Sequence, residues 1–175
     1  TLEAWVQVSN LEQRGGGVIS VQTLDGATFD AIVFGEQEPE KWMAGSNEFV
    51  RTRSFNGTPE SDAKDRAVHV AIVYQKDGTV LGYRDGKLYG TSYRAHELSA
   101  YAAGKSQVIF GLRHGTAGGN RLLAGRISRA KLYNRALTPD EVAASANVAD
   151  KNYVSHAQVV AQLTADEKSD YQRLS

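Results

Sequence analysis

The sequence predicts an all-β fold, a sandwich of two antiparallel sheets followed by a short C-terminal helical tail. Three observations predict it. Over the first 135 residues, short apolar runs alternate with Gly-, Asp- and Pro-rich breaks. Asp77-Gly78 and Asp85-Gly86 are two closely spaced Asp-Gly pairs, each between apolar runs, which is the pattern of a β-meander. A helix-start signal appears only near residue 138. At 175 residues with 41% apolar and 23% charged side chains, the composition suits one globular domain with a sizeable core.

The elements follow in order. Residues 1–8 alternate Leu2, Ala4, Val6 and Val8 against Thr1, Glu3, Trp5 and Gln7, a period of two. Gly15-Gly16-Gly17 breaks the chain before a strand at residues 18–21, and Asp25-Gly26 turns into a strand at residues 28–34. Residues 36–40, with three acids and a Pro, read as a loop. Weaker strand signals cover residues 41–44 and 48–55, and residues 56–66 read as a long surface loop. Residues 67–74, 80–84 and 87–89 are the strands of the meander. After an irregular stretch, residues 107–112 form a strand, residues 114–120 a glycine-rich loop, and residues 123–133 a last long strand. Strict alternation there sends Ser128, Ala130 and Leu132 one way and Ile127, Arg129, Lys131 and Tyr133 the other.

Thr138-Pro139-Asp140-Glu141 has an N-cap Thr, Pro at the first helical position and Glu at the capping-box position. Ser155-His156-Ala157-Gln158 and Thr164-Ala165-Asp166-Glu167 repeat the pattern. The expectation is a sandwich over residues 1–146, including one helix, and two further helices in a tail or linker over residues 147–175.

Twenty basic and twenty acidic side chains cancel, which excludes the strongly basic footprint of a nucleic-acid partner. The charges are nevertheless segregated. Acids outnumber bases from Asp25 to Asp65. No acid lies between Glu97 and Asp140, where Lys105, Arg113, Arg121, Arg126, Arg129, Lys131 and Arg135 fall. Either the two segments neutralise each other in the fold, or the second forms a basic face for an anionic ligand. Without cysteine there is no disulfide, thiolate metal site or cysteine nucleophile. No apolar run is long enough for a membrane helix. The start reads as the middle of a strand, with neither an initiator Met nor a signal peptide. The expectation is a segment of a larger protein whose targeting signal lies outside it.

Three pieces carry a resemblance. They are Thr1-Leu2-Glu3-Ala4-Trp5-Val6, then His69-Val70-Ala71 with Tyr83-Arg84-Asp85-Gly86-Lys87, and finally Gly125-Arg126-Ile127 with the run from Leu132 to Val142. In order and spacing they resemble the laminin-G-like, concanavalin A-like lectin/glucanase jelly-roll family over residues 1–145. The resemblance implies a jelly-roll sandwich, a carbohydrate ligand and an extracellular or periplasmic site within a larger protein. Tyr153-Val154-Ser155 and Leu163-Thr164 resemble segments that follow such domains in multidomain proteins of planctomycete-type bacteria, which implies neighbouring domains as partners. Three positions depart from the family pattern. Ala67 stands where a Trp is common, Arg84 where an aliphatic residue is usual, and Ser128-Arg129 where an acidic pair is common. The missing pair removes one route to a calcium site. The family's first strand, before Thr1, is also missing, so closure of one sheet is expected to depend on sequence outside these residues.

No catalytic constellation is legible, and the expectation is a domain that is not an enzyme and needs no cofactor. Glu36, Glu38 and Glu40 have the spacing of glucanase carboxylates but flank Pro39 in a loop. Gly104-Lys105-Ser106 has Ser99 where a phosphate loop requires glycine. The four histidines are scattered, and His69 on an apolar strand reads as a core imidazole. Asp25, Asp30, Asp62, Asp65 and Asp85 are the carboxylates available to a structural calcium ion, though Asp25 and Asp85 already serve turns.

The leading expectation is therefore a non-catalytic carbohydrate-binding module, for an anionic or sulfated polysaccharide. Trp42, Tyr83, Tyr93 and Tyr101 supply rings, and Arg84, Arg94, His96, Arg113, His114, Asn120 and Arg121 supply donors. Residues 114–121 are the favoured loop, because glycines admit close backbone approach. The alternatives are a structural or protein-interaction module and, behind both, a glucanase-type hydrolase.

Overall fold

The computed structural model describes residues 1–95, 97–147 and 164; the expected tail helices after Ser155 and Thr164, and His96, lie outside the described residues. Ten strands form two antiparallel sheets. Sheet A contains β1 (Leu2–Val8), β5 (Val68–Tyr74), β6 (Thr79–Arg84), β7 (Lys87–Leu88), β8 (Tyr93–Arg94) and β10 (Gly125–Leu132). Its order is β10-β1-β5-β6-β7, with β8 also pairing with β6. Sheet B contains β2 (Gly16–Thr23), β3 (Phe29–Phe34), β4 (Trp42–Ser46) and β9 (Ser106–Phe110), in the order β4-β3-β2-β9.

Alternation sends Leu2, Ala4, Val6 and Val8 of β1 and Val70 and Ile72 of β5 inward. They meet Ile19, Val21, Ile32, Phe34, Trp42 and Ala44 from sheet B. Burial of these apolar side chains is the main stabilising term, at roughly 25 cal/mol per Å² of apolar surface. The meander forms as expected. Asp85 and Gly86 have φ of 50° and 76°, the paired positive angles of a type I′ hairpin turn, for which Asp-Gly is suited.

The helix α1 (Pro139–Asn147) covers the outer face of sheet A, where Leu137 and Val142 pack on Ala71, Val73 and Tyr83. Its capping box is formed. The Thr138 N–H donates to Glu141 Oε2 at 2.8 Å, and the Glu141 N–H donates to Thr138 Oγ1 at 3.3 Å.

Three local expectations are corrected. Residues 48–55 are not a strand: a short 3₁₀ turn, Asn47–Phe49, is followed by irregular chain. The Arg51 N–H donates to Ser46 Oγ at 2.9 Å, and Glu48 and Phe49 sit at positive φ, so the backbone leaves the extended region there. Tyr93–Arg94, in the stretch read as irregular, pairs with Thr79–Val80 as β8. The alternation of the last strand is interrupted by a β-bulge. Trp5 pairs with Arg129 and Val6 with Ile127, skipping Ser128. Ile127 therefore turns inward with Ala130 and Leu132, and Arg126 joins Arg129 and Lys131 on the outer face.

Candidate functional site

The eight residues expected to bind ligand are distributed over three places. Tyr83 is 4% exposed and lies beneath α1, so it is a packing residue. Arg84 is held by carboxylates, donating to Glu60, Asp62 and Asp85. Tyr93 packs on Phe55, and its hydroxyl donates to the Arg51 carbonyl at 2.8 Å. Arg94 is exposed at the far end of β6 from Arg84. Trp42 is core: it packs against Phe34, and its Nε1–H donates to Glu60 Oε2 at 2.7 Å.

Arg113, His114, Asn120 and Arg121 are brought together. Residues 111–121 lie across the outer face of sheet B. Arg113 is buried and ion-pairs with Glu36, while its Nη2 donates to Asn120 Oδ1 at 3.1 Å. His114 stacks on Phe29 with ring centroids 4.2 Å apart and planes 12° apart. Burial, with Arg121 and Arg113 nearby, lowers the His114 pKa and so favours the neutral form of the stacked ring. The Gly115 N–H donates to Gln22 Oε1 at 2.8 Å. These contacts anchor the loop and leave its tip, residues 116–120, exposed. Gly118 and Gly119 have φ of 150° and 56°, and a Cβ on either would meet no atom, so their backbone is open to a close-lying ligand. Arg121 donates to the Thr116 carbonyl and has no carboxylate partner among the described residues.

The acid-free stretch is partly neutralised in the fold. Arg113 pairs with Glu36, Lys131 with Glu3 and Arg135 with Glu141. Among the described residues, Lys105, Arg121, Arg126 and Arg129 have no carboxylate partner within salt-bridge distance. On the outer face of β10 the bulge lines up Arg126, Arg129 and Lys131. The Arg129 guanidinium carbon and Lys131 Nζ lie 5.1 and 4.9 Å from the Trp5 ring centroid. Such cation–π contacts contribute roughly 0.5–1 kcal/mol each at exposed sites and also fix the direction of the cations. Beside them, Glu3 accepts from Tyr133 and Ser145 and pairs with His69. Burial disfavours the Glu3 carboxylate, but its bonds to His69 and Ser145 outweigh this and hold its pKa below the usual range. His69 is thus the expected core imidazole, although its Nδ1 is buried without a partner.

Glu36, Glu38 and Glu40 do not converge. Glu36 faces Arg113, Glu38 pairs with Lys41 and accepts from Ser54, and Glu40 is exposed. Among the described residues, no group of three or more His, Asp or Glu side chains is placed to hold a metal ion. Asp62 and Asp85 are engaged by Arg66 and Arg84, Asp25 closes its own turn, and Asp30 ion-pairs with Arg51.

One site was missed in the sequence. At one end of the sandwich a cleft of about 1020 Å³ opens between the sheets, lined among others by Leu2, Val21, Asp30, Tyr74, Tyr101 and Leu132. Asp30 accepts from Arg51 at 2.7 Å and from the Tyr101 hydroxyl at 2.8 Å. Burial raises the Asp30 pKa despite Arg51 and Tyr101. A second cavity, about 560 Å³, shares Leu98 and Ser99 with the first and is completed by Val50, Arg51 and Glu97. The partners Asp30 and Arg51 are 21 residues apart in sequence, and no local pattern announces their pairing.

Two packed antiparallel sheets with this strand order and a helix on one outer face define the jelly-roll class of lectin-like sandwiches. The chain belongs to the laminin-G-type family described as the concanavalin A-like lectin/glucanases superfamily, whose model matches residues 1–143. Two solved structures are similar in fold. One is a candidate carbohydrate-binding protein from Bacteroides ovatus, with 16% identity and a TM-score of 0.58, covering 88% of this chain. This chain spans only 42% of that protein's length. The other is the CBM40 domain of the Ruminococcus gnavus IT-sialidase bound to α2,3-sialyllactose, with 12% identity and a TM-score of 0.56. That match covers 83% of this chain and 80% of the other. At these identities the likeness is one of fold alone. No curated protein matches the sequence.

Proposed function

We propose that this domain is a non-catalytic carbohydrate-binding module for an anionic polysaccharide, acting outside the cytoplasm as one part of a larger protein. The observation that carries the proposal is the set of cations that have no carboxylate partner among the described residues: Arg121 beside the open glycine tip, and Arg126 and Arg129 along the bulged strand. A planar guanidinium on a rigid strand suits a sulfate or carboxylate, because two parallel N–H donors match two oxygens. The fold neighbours support the carbohydrate class, since one is described as a candidate carbohydrate binder and another was solved with a sialylated sugar. The test is titration calorimetry with a sulfated polysaccharide at low and high salt. Arg121→Ala and the double variant R126A/R129A are each expected to weaken binding roughly tenfold, and the remaining affinity should depend less on salt. Unchanged affinity in both variants would end the assignment to these residues.

A second reading, a protein-interaction module, is favoured by a different feature. Among the described residues, β9 and β10 are edge strands, one in each sheet, with no further strand paired to them. The inward-facing Val108 and Phe110 of β9 and Leu132 of β10 are 38%, 58% and 46% exposed there. An unpaired edge with exposed apolar side chains is the surface to which another strand adds.

A further inference from the structure

Of the cations without a carboxylate partner among the described residues, Arg126 and Arg129 stand on the outer face of sheet A and Arg121 on the outer face of sheet B. The first two belong to a row. Arg126, Arg129 and Lys131 lie opposite Gln7, Trp5 and Glu3 of β1. Those positions are two residues apart, so the row advances in even steps of about 7 Å along one face. Lys131 closes its α1 end, tied to Glu3 at 3.4 Å and to Ser145 at 2.7 Å. Arg121 is seated on the other side. Its loop rests on groups that point out of sheet B: His114 stacks on Phe29, and the Gly115 N–H donates to Gln22 Oε1. Phe29 clusters with Ala31 and Val33, apart from the core between the sheets, and Gln22 alternates with the inward Val21. The Arg113 N–H donates to the Arg121 carbonyl at 2.9 Å, which fixes the arginine at this face.

We infer that the domain carries two separate anion sites, back to back, and cross-links two strands of an anionic polysaccharide. The sheets pack about 10 Å apart and each set of cations projects away from the other, so a straight stretch of polymer on one face does not reach the second. The two sites differ in kind. The row on β10 matches a linear chain with anions repeated along its length. The Arg121 site matches one anionic group, approached by the open backbone of Gly118 and Gly119. The chain has no net charge, so neither face draws on an overall field and each holds its anion by local contacts. Two modest sites facing opposite ways give little avidity on one short ligand, but they join long strands into a network.

The inference rests on the anionic-polysaccharide reading and adds the number and direction of its sites. The experiment uses the whole chain with two probes, sulfated maltotetraose and dextran sulfate. Calorimetry with the tetrasaccharide should count two sites per chain. R121A should remove one and R126A/R129A the other, each leaving the affinity of the remaining site within about twofold of its original value, because the sites do not touch. With dextran sulfate the wild-type chain should scatter light at comparable molar amounts and clear at high salt. An uncharged chain does not precipitate a polyanion by neutralising it, so the scattering reports cross-linking. Each variant should still bind dextran sulfate, by sedimentation, but give no scattering. One site per chain, impaired by both variants alike, would overturn the bridge and leave a single anionic site standing. So would scattering that persists in either variant. No binding of either probe by the folded protein would end the anionic reading itself.

Discussion

Single buried carboxylates hold much of this sandwich together. Glu60 accepts from the Trp42 indole, from Arg84 twice and from the backbone N–H groups of Ser61, Asp62 and Ala63. Burial opposes its charge, but the bonds from Arg84 and Trp42 prevail and its pKa lies below the ordinary value. Glu60→Ala strands an indole N–H and an arginine, and is expected to cost about 3–5 kcal/mol in denaturant titration. A depressed carboxylate pKa contributes stability that is present above the unfolded-state pKa and lost as pH falls through the folded one. The wild-type chain should therefore lose stability on acidification below about pH 4.3, and Glu60→Gln should flatten that loss. At this scale the sequence was least legible. Arg113 was singled out for its position in a glycine-rich loop, but its partner Glu36 is 77 residues away. Trp42 and Tyr83 read equally well as platforms or as core, since an aromatic on a strand does not declare which face is covered.

Elements were far more legible, because their signals are local. The Asp85-Gly86 turn and the Thr138–Glu141 capping box are written in adjacent residues, and both form as read. Thr138→Ala should cost about 1 kcal/mol through loss of the cap, seen as a lower melting temperature. Glu141, bonded by Arg135 and by the Thr138 N–H, has its pKa lowered to about 2. The docking of α1 should accordingly weaken between about pH 4.3 and 2, and amide exchange of the helix would report it. The bulge in β10 was not legible, because pairing with Trp5 and Val6 sets it, not any residue near Ser128 in sequence. Deleting Ser128 would restore strict alternation and leave Gly125 and Ile127 inward and Arg126 outward, because Ile127 would then directly precede the outward Arg129. The expected cost is small, about 1 kcal/mol or less, in denaturant titration. A loss of several kcal/mol would contradict the register described here.

For the whole molecule, two features follow from how the sheets are assembled. The charge segregation visible in the sequence survives folding only in part: pairs such as Arg113–Glu36 neutralise some cations, while Arg121, Arg126 and Arg129 have no carboxylate partner among the described residues. The side at β9 and β10 carries the exposed apolar groups Val108, Phe110 and Leu132. If that side joins a partner, Phe110→Lys should abolish concentration-dependent association in sedimentation velocity without lowering polysaccharide affinity. The measurement that bears most directly on the central claim is a glycan array of neutral, sulfated and uronic-acid polysaccharides, run with calcium and with chelator at two salt concentrations. The account predicts salt-sensitive binding to anionic glycans that is reduced by R121A and by R126A/R129A and indifferent to chelator. No binding to any glycan by the folded protein would contradict it and leave the open apolar edge as the functional surface.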